Sequence, residues 1–417
     1  MGQLDAREGR DTENNMGQGG LVSLGEHVDV APVGELKSNV VSSLEGVRAL
    51  GPDYEHLGGV TGNTLPFALH EWHLAWCEHF LNHNAQSHEQ LLFHTLRNGS
   101  DECVALVPLV RTRRRLGPLK LATVDLVGMD PGLTEIRTPL IKPGYERSAV
   151  RVVHESLAQI GGWDWMQWSR ISGTLAEAVA REVTPHWREV SRDYVLDLPA
   201  SWQEFRAGLT RNVREALRHC YNSLRRDRHS FEFVVARTRE EVHRALDRFL
   251  VLHALRAHMS WGPKHPNFFA TRRLQEFLYD VCDRLAARDV VRVFQLRIGG
   301  AIVASRIAFV VGEGLYLYYS GFDPAWARYS VMTTTIVEAF KYAIANGIKT
   351  VNLSLNAERS KLRWRPRVIE FQTALVRRGY IGSRLLYRAY YAAMSGTSAY
   401  GEHGQLLRIF LANHTWE

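Results

Sequence analysis

Hydrophobic and polar positions along this chain fall into helical and strand-like runs whose order occurs twice. In Phe67–Phe80, Trp72, Trp76 and Phe80 recur every four residues, the stripe of an amphipathic helix. Two strand-like runs, Leu91–Arg97 and Val104–Val110, flank Asn98-Gly99, a hairpin signal. A third, Leu121–Val127, runs into Gly128-Met129-Asp130-Pro131; a helix over Glu146–Ile160 ends at Gly161-Gly162, and Trp163–Ser169 is the next strand. The later copy has strands Val290–Ile298 and Ala301–Val311 around Gly299-Gly300, then Leu315–Ser320 into Gly321-Phe322-Asp323-Pro324. A helix over Thr333–Asn346 ends at Gly347, and Thr350–Leu355 is a strand. Leu96-Arg97-Asn98-Gly99 parallels Leu296-Arg297-Ile298-Gly299, and Gly-Met-Asp-Pro parallels Gly-Phe-Asp-Pro. The order implies an internally duplicated α/β unit.

The flanks differ from the repeats. Residues 1–58 are polar and glycine-punctuated and are expected to form a flexible leader. The first unit is assigned to 59–195, the second to 196–380, and a helical tail to 381–417. Between the units, Ser201 and Glu204 have capping-box spacing, so a helix starts at Ser201. A second helix follows. Arg211, Arg214, Arg218 and Arg225 share one of its faces, while Val213, Leu217, Cys220 and Leu224 form the opposite stripe.

Composition narrows the function classes. With 45% hydrophobic and 23% charged residues in 417, the chain has ample material for packed cores, which excludes a disordered or fibrous chain. No apolar run is long enough to span a membrane; Arg306 interrupts even Ala301–Val311. The first residues lack an apolar signal core. Cys77, Cys103, Cys220 and Cys282 lie far apart and are expected to be reduced thiols, so a cytoplasmic location is expected. His70-Glu71-Trp72-His73 spaces its histidines three apart where zincins need four, so no metal is expected. P-loop, G-x-G-x-x-G and G-x-S-x-G motifs are absent. Lys+Arg 51 against Asp+Glu 44 gives a net charge of +7, concentrated at Arg211–Arg226 and Arg359–Arg367. Both clusters suit an anionic cofactor or acceptor better than duplex DNA.

Several of these stretches resemble one family. They are the Arg-rich helix Leu209–Arg226, Leu252-His253-Ala254-Leu255-Arg256, Leu296–Ala304, Tyr318-Tyr319-Ser320-Gly321-Phe322-Asp323-Pro324 and Lys361-Leu362-Arg363-Trp364. Their order is similar to the CelD/BcsL-type branch of the GNAT N-acetyltransferases, which is related to the Fem-type aminoacyl transferases. The resemblance covers about Pro66 to Arg377. It implies an α/β (α+β) fold of two tandem GNAT-like units with mixed central sheets flanked by helices. It also implies a mechanism in which two strands splay around an acyl thioester and backbone N–H groups polarise the acyl carbonyl. The cofactor pyrophosphate would sit at the N-terminus of the next helix. Here those parts would be Leu315–Ser320, Val351–Leu355 and the turn Arg328–Thr333. This chain departs from the family at Met332, where a glycine is usual, at Asn352, where an aspartate is usual, and at Ser360, where an aromatic is usual.

The expected function is transfer of an acetyl or longer acyl group from acyl-CoA to an amine or hydroxyl of a saccharide-like or small polar acceptor. Attack would occur directly in a ternary complex, with the second unit holding the donor. Candidate catalytic residues are His253 as base, Tyr318 as acid on the leaving thiolate, and Asn352. Arg328, Ser330, Thr333, Thr334 and Lys361 are candidates for the cofactor, and Arg211, Arg218, Arg256, Trp261 and Trp364 for the acceptor. No DNA partner is expected. A Fem-like aminoacyl-tRNA-dependent transferase and a non-catalytic binding module are the alternatives, and tRNA is a partner only under the first of these.

Overall fold

The computed structural model describes residues 35–82, 87–116, 119–130, 132–262, 265–355, 359–379, 382–383 and 386–387. The tail expected at 381–417 and the first part of the leader lie almost wholly outside the described residues. In chain order the first half contains β1 (Lys37–Val41), α1 (Leu44–Ala49), α2 (Gly51–Thr61), α3 (His70–Phe80), β2 (Ser87–Arg97), β3 (Cys103–Leu116), β4 (Leu119–Leu126), β5 (Leu140–Ile141), α4 (Glu146–Ile160), β6 (Trp165–Ile171), α5 (Gly173–Glu182) and β7 (His186–Asp197). The second half contains α6 (Trp202–Gly208), α7 (Arg211–Arg226), β8 (Phe231–Ala236), α8 (Arg239–Ala257), α9 (Arg272–Ala287), β9 (Val291–Ile298), β10 (Ala301–Val311), β11 (Gly314–Phe322), α10 (Val331–Ala345), β12 (Thr350–Leu355), α11 (Arg359–Leu362) and β13 (Arg367–Arg377).

The duplicated element order is present, but the two sheets expected from it are joined into one. The strand order is β1-β2-β3-β4-β6-β13-β7-β12-β11-β10-β9-β8, with β5 added to β3. Each half contains one parallel pair, β4 with β6 and β11 with β12. The join is an exchange of strands. β7, which follows the first unit, pairs with β12 of the second, whereas β13, which follows the second unit, pairs with β6 of the first and with β7. The segments 59–195 and 196–380 are thus linked through their last strands, each of which pairs with strands of the other.

Residues 37–58, expected as leader, also belong to the fold. β1 pairs antiparallel with β2, and Val47, Tyr54 and Leu57 are buried. Their apolar side chains are too few and too scattered for a periodic signal, yet each meets the large core. In that core the predicted stripe Trp72, Trp76 and Phe80 packs with Phe277, Phe309 and Tyr318, so residues of both halves share one interior. Burial of such aromatics is worth roughly 1.5–3 kcal/mol each. The Ser201 cap forms as expected, its hydroxyl accepting the Glu204 N–H at 3.2 Å. Among the described residues no helix is long and apolar enough to cross a membrane.

Candidate active site

A fork in the sheet of the second half gathers the polar chemistry. β11 and β12 pair in parallel only over Gly314–Tyr316 and Thr350–Asn352. Beyond that point β11 continues along β10 as far as Phe322, while β12 follows β7 to Leu355, so the two strands part. Both are irregular where they separate. β11 has a bulge opposite Arg306–Ala308, and β12 breaks register between Asn352 and Leu355. Ser354 there has a φ of 68°, a left-handed conformation that costs a residue other than glycine about 1–2 kcal/mol. Strain of this kind concentrates at functional sites.

Two carboxylates close the fork, and sequence reasoning identified neither. Glu135 arrives from the loop after β4 of the other half. Its Oε2 accepts hydrogen bonds from the Tyr316 hydroxyl and, at 2.7 Å, from the Ser354 hydroxyl. The Arg170 guanidinium donates to the Glu135 carbonyl and fixes the loop. Asp193 of β7 is buried, and its Oδ2 accepts from Asn352 Nδ2 at 2.5 Å. Asn352 Oδ1 in turn accepts the Ser354 N–H at 2.7 Å. Burial pushes both carboxyls above their usual range, against the pull of these donors and of the Lys361 ammonium. Glu135 retains partial solvent access and so can meet a substrate. The only signal in the sequence was an acid in an otherwise apolar stretch, in Leu133-Thr134-Glu135-Ile136 and in Asp193-Tyr194-Val195-Leu196.

The start of α10 faces the mouth of the fork. Ser330 takes a φ of 54° and supplies no side-chain cap. The amides of Thr333 and Thr334 turn back to the Ser330 carbonyl, leaving those of Val331 and Met332 as the leading donors of the helix. Arg363, just past α11, donates to the Thr333 hydroxyl at 3.1 Å and lies over the Trp364 ring. Burial lowers this guanidinium from its ordinary value, and its Nε is buried without a partner among the described residues. A positive group beside free helix amides is suited to a phosphate. Met332, the departure from glycine, packs its side chain against the cluster of Leu224, Tyr329 and Val331.

The corresponding helix start in the first half differs. There, Glu146 of α4 accepts the Gly144 N–H at 2.8 Å and the Thr174 hydroxyl at 3.0 Å. An acid in the first turn of this helix disfavours an anion there. Asp125 of β4 stands opposite Gln167 as Tyr316 stands opposite Asn352, and burial raises its carboxyl to about 6.

Of the residues expected from sequence, Asn352 and Lys361 belong to the fork, and Ser330 and Thr333 to the helix start. Lys361 faces the carboxylates rather than a phosphate, donating to the Leu355 carbonyl. Several expectations are corrected. His253 is locked in the interior, Nδ1 bonded to the Ser320 carbonyl at 3.1 Å and Nε2 accepting the Phe268 N–H at 3.3 Å. Burial lowers it to about 4, which keeps the ring neutral, and both its nitrogens are engaged within the interior. The bulge in β11 lies between Leu317 and Ser320, and the hydroxyls of Tyr318 and Tyr319 bond to successive carbonyls, Leu133 at 2.5 Å and Gly132 at 2.7 Å. Tyr318 therefore holds the Glu135 loop, its hydroxyl engaged by a backbone carbonyl. Thr334 is fully buried because it lies on the sheet-facing side of α10, and Trp364 is buried against Phe340. Arg211 pairs with Glu215 in solvent, Arg218 is exposed, and Trp261 is 53% exposed, so none of the three converges on the fork. Arg328 lies exposed over the Tyr329 ring near the helix start. Arg256 donates to the Ser320 hydroxyl at 2.8 Å at the far end of β11. Among the described residues no group of His, Cys, Asp and Glu is arranged to hold a metal.

Comparison with known proteins agrees with this architecture. No curated relative matches the chain by sequence. Among solved structures, FemX is similar at a TM-score of 0.50 with 10% identity over 76% of this chain and 95% of that one. The C-terminal domain of a putative lysylphosphatidylglycerol synthetase from Agrobacterium fabrum is similar at 0.48, with 14% identity over 84% and 96%. A tandem GNAT protein from the clavulanic acid biosynthesis pathway is similar at 0.44, with 10% identity over 83% and 99%. Residues 211–362, which carry both strands of the fork, α10 and Lys361, match the family model described as an acetyltransferase (GNAT) domain.

Proposed function

We propose that this protein is an acyltransferase whose second half binds an acyl-CoA and whose first half supplies the base. The observation that carries the reading is the fork: strands β11 and β12 part beside the uncapped start of α10, and Glu135 enters from the other half. The donor phosphates would bind the amides of Val331 and Met332 with Arg363, and the acyl thioester would lie between the strands. An acceptor amine or hydroxyl attacks the carbonyl, and Glu135 takes its proton. The developing oxyanion faces backbone N–H groups at the β11 bulge. As the C–S bond breaks, the proton passes to the thiolate, with the Tyr316 hydroxyl already bonded to Glu135. Tyr316, Ser354 and Lys361 stabilise the carboxylate form, while burial keeps it basic enough to act. The acceptor is a saccharide-like or small polar molecule, because the groups around Glu135 are hydroxyls, an amide and charges. The resemblance to CelD/BcsL-type proteins supports the same acceptor class.

Titration calorimetry with acetyl-CoA, palmitoyl-CoA and free CoA tests the donor. Saturable binding of a CoA species is expected. Binding of none of them, together with a salt-sensitive tRNA complex, would replace this reading with the aminoacyl-tRNA-dependent one.

A further inference from the structure

A second basic cluster lies on β3 and β4, away from the fork. The β3–β4 hairpin carries Arg111, Arg113 and Arg115 on one face by strand alternation, and Lys120 stands opposite Arg115. Arg111 is buried and anchored, donating to the Gly161 carbonyl at 2.7 Å and to Gln90 Oε1 at 2.5 Å. Arg113 is exposed beside it. A Cβ at Gly162 would stand 3.2 Å from Arg111 Nη1 and 3.5 Å from Arg113 Nη2; one at Gly161 would stand 3.5 Å from Arg378 Nη1. Three guanidinium groups thus converge over the Gly161–Gly162 turn, whose two left-handed residues (φ 61° and 66°) leave no side chain in the way.

Next to this turn is a concave cradle of about 490 Å³ lined by His88, Arg113, Arg114, Arg115, Lys120 and Asp164. Asp164 is the one acid among the described lining residues, and its Oδ2 is engaged by the Ala122 N–H at 2.8 Å. The repulsion is felt within the cluster: burial and the neighbouring Arg113 both lower Arg111 from its ordinary value. Like charges held together with so little compensation favour a multiply charged anion, and planar guanidinium groups favour phosphate. The concave shape fits one phosphorylated group rather than a duplex.

This cradle is separate from the fork. In β13, Arg367 lies opposite Val195, which also faces Asn352, whereas Arg377 lies opposite Trp165, next to Asp164. About ten strand residues at roughly 3.3 Å each place the two sites on the order of 30 Å apart. We propose that the β3–β4 cradle binds a phosphate group of a second ligand, distinct from the acyl donor, through Arg113, Arg115 and Lys120.

The probe is inorganic pyrophosphate, titrated into full-length Arg363→Gln protein so that the proposed donor site does not contribute. Saturable binding is expected, weakened at least roughly tenfold when Arg113→Gln and Arg115→Gln are added. Absence of binding in Arg363→Gln, or binding indifferent to the two added changes, would overturn the proposal. Both substitutions are at exposed positions, and circular dichroism with an unchanged melting temperature verifies the fold. Arg113→Lys/Arg115→Lys, which keeps the charge, is expected to retain part of the affinity. Sedimentation with phosphatidylglycerol vesicles distinguishes the source of the phosphate. Vesicle binding lost in the double Gln variant assigns a lipid headgroup, whereas pyrophosphate binding with indifference to vesicles assigns a soluble phosphate. A tRNA complex lost in that variant, without pyrophosphate binding, would contradict the small-phosphate reading. A failure here leaves the donor site untouched, because acetyl-CoA binding by the Arg113→Gln/Arg115→Gln protein is measured separately.

Discussion

Replacing Asp125 by Asn probes the asymmetry between the two halves through pH. Asp125 is 5% exposed and stands at the parting of β4 and β6, where Tyr316 stands in the other half. Burial raises its carboxyl from 3.8 to about 6, although Arg137 and Arg114 pull it down. Because the folded value is above the unfolded one, its stabilising contribution is complete below pH 3.8 and is lost as pH rises through 6. A change from 3.8 to about 6 corresponds to about 3 kcal/mol in all, of which roughly 2.5 kcal/mol falls between pH 4 and pH 8. Asn resembles the protonated acid and does not titrate. The stability of Asp125→Asn relative to wild type should therefore climb by about that amount from pH 4 to pH 8, whatever the offset at pH 4. Urea unfolding at unit pH intervals measures it. A relative stability that is flat or falls with pH would show that Asp125 is not a buried carboxyl held against its charge.

Glu135→Gln keeps an acceptor oxygen for Tyr316 and Ser354 but removes the base, so kcat/KM should drop about 10²–10⁴-fold with acyl-CoA affinity intact. Release of free thiol from acetyl-CoA, with an acceptor turned over by wild type, measures it, and a loss of less than about threefold would exclude Glu135 as the base. Three buried histidines and the half-buried His154 respond to acid. His73 is lowered to about 3, and His94, His154 and His253 to about 4, so the stability they confer is present above pH 6.5 and lost as pH falls from 6.5 toward 4. His253→Gln should flatten that acid slope in melting temperature, and an unchanged slope would contradict its burial as a neutral ring.

Local signals carried much of the fold. Glu146–Ile160, Ala301–Val311 and Thr350–Leu355 form as the periodicity predicts, because each meets a core, and glycines bound the first two. The strand exchange was not legible. β7 and β13 look like any half-buried strand, and nothing local specifies that each pairs across the repeat. The same limit hid the two carboxylates of the fork. Glu135 and Asp193 are far in sequence from Tyr316, Asn352 and Ser354, and only the exchange brings Asp193 of β7 beside β12. Tyr318 shares the core face of Tyr316, as strand alternation requires, and only the loop that brings Glu135 from the other half engages its hydroxyl, at the Leu133 carbonyl. The histidine in Leu252-His253-Ala254 had suitable chemistry in isolation, and only the packing of α8 on β11 removes it from the site. There a Cβ at Gly321 would stand 2.3 Å from the His253 nitrogen.

The central claim is that an acyl-CoA binds at the start of α10. Calorimetry with acetyl-CoA on wild type, Arg363→Gln and Arg211→Gln tests it most directly. The account predicts that Arg363→Gln weakens binding at least about tenfold, the value of a charged hydrogen bond to phosphate, while Arg211→Gln leaves it unchanged. Equal affinity for wild type and Arg363→Gln would contradict the assignment of the donor to this fork.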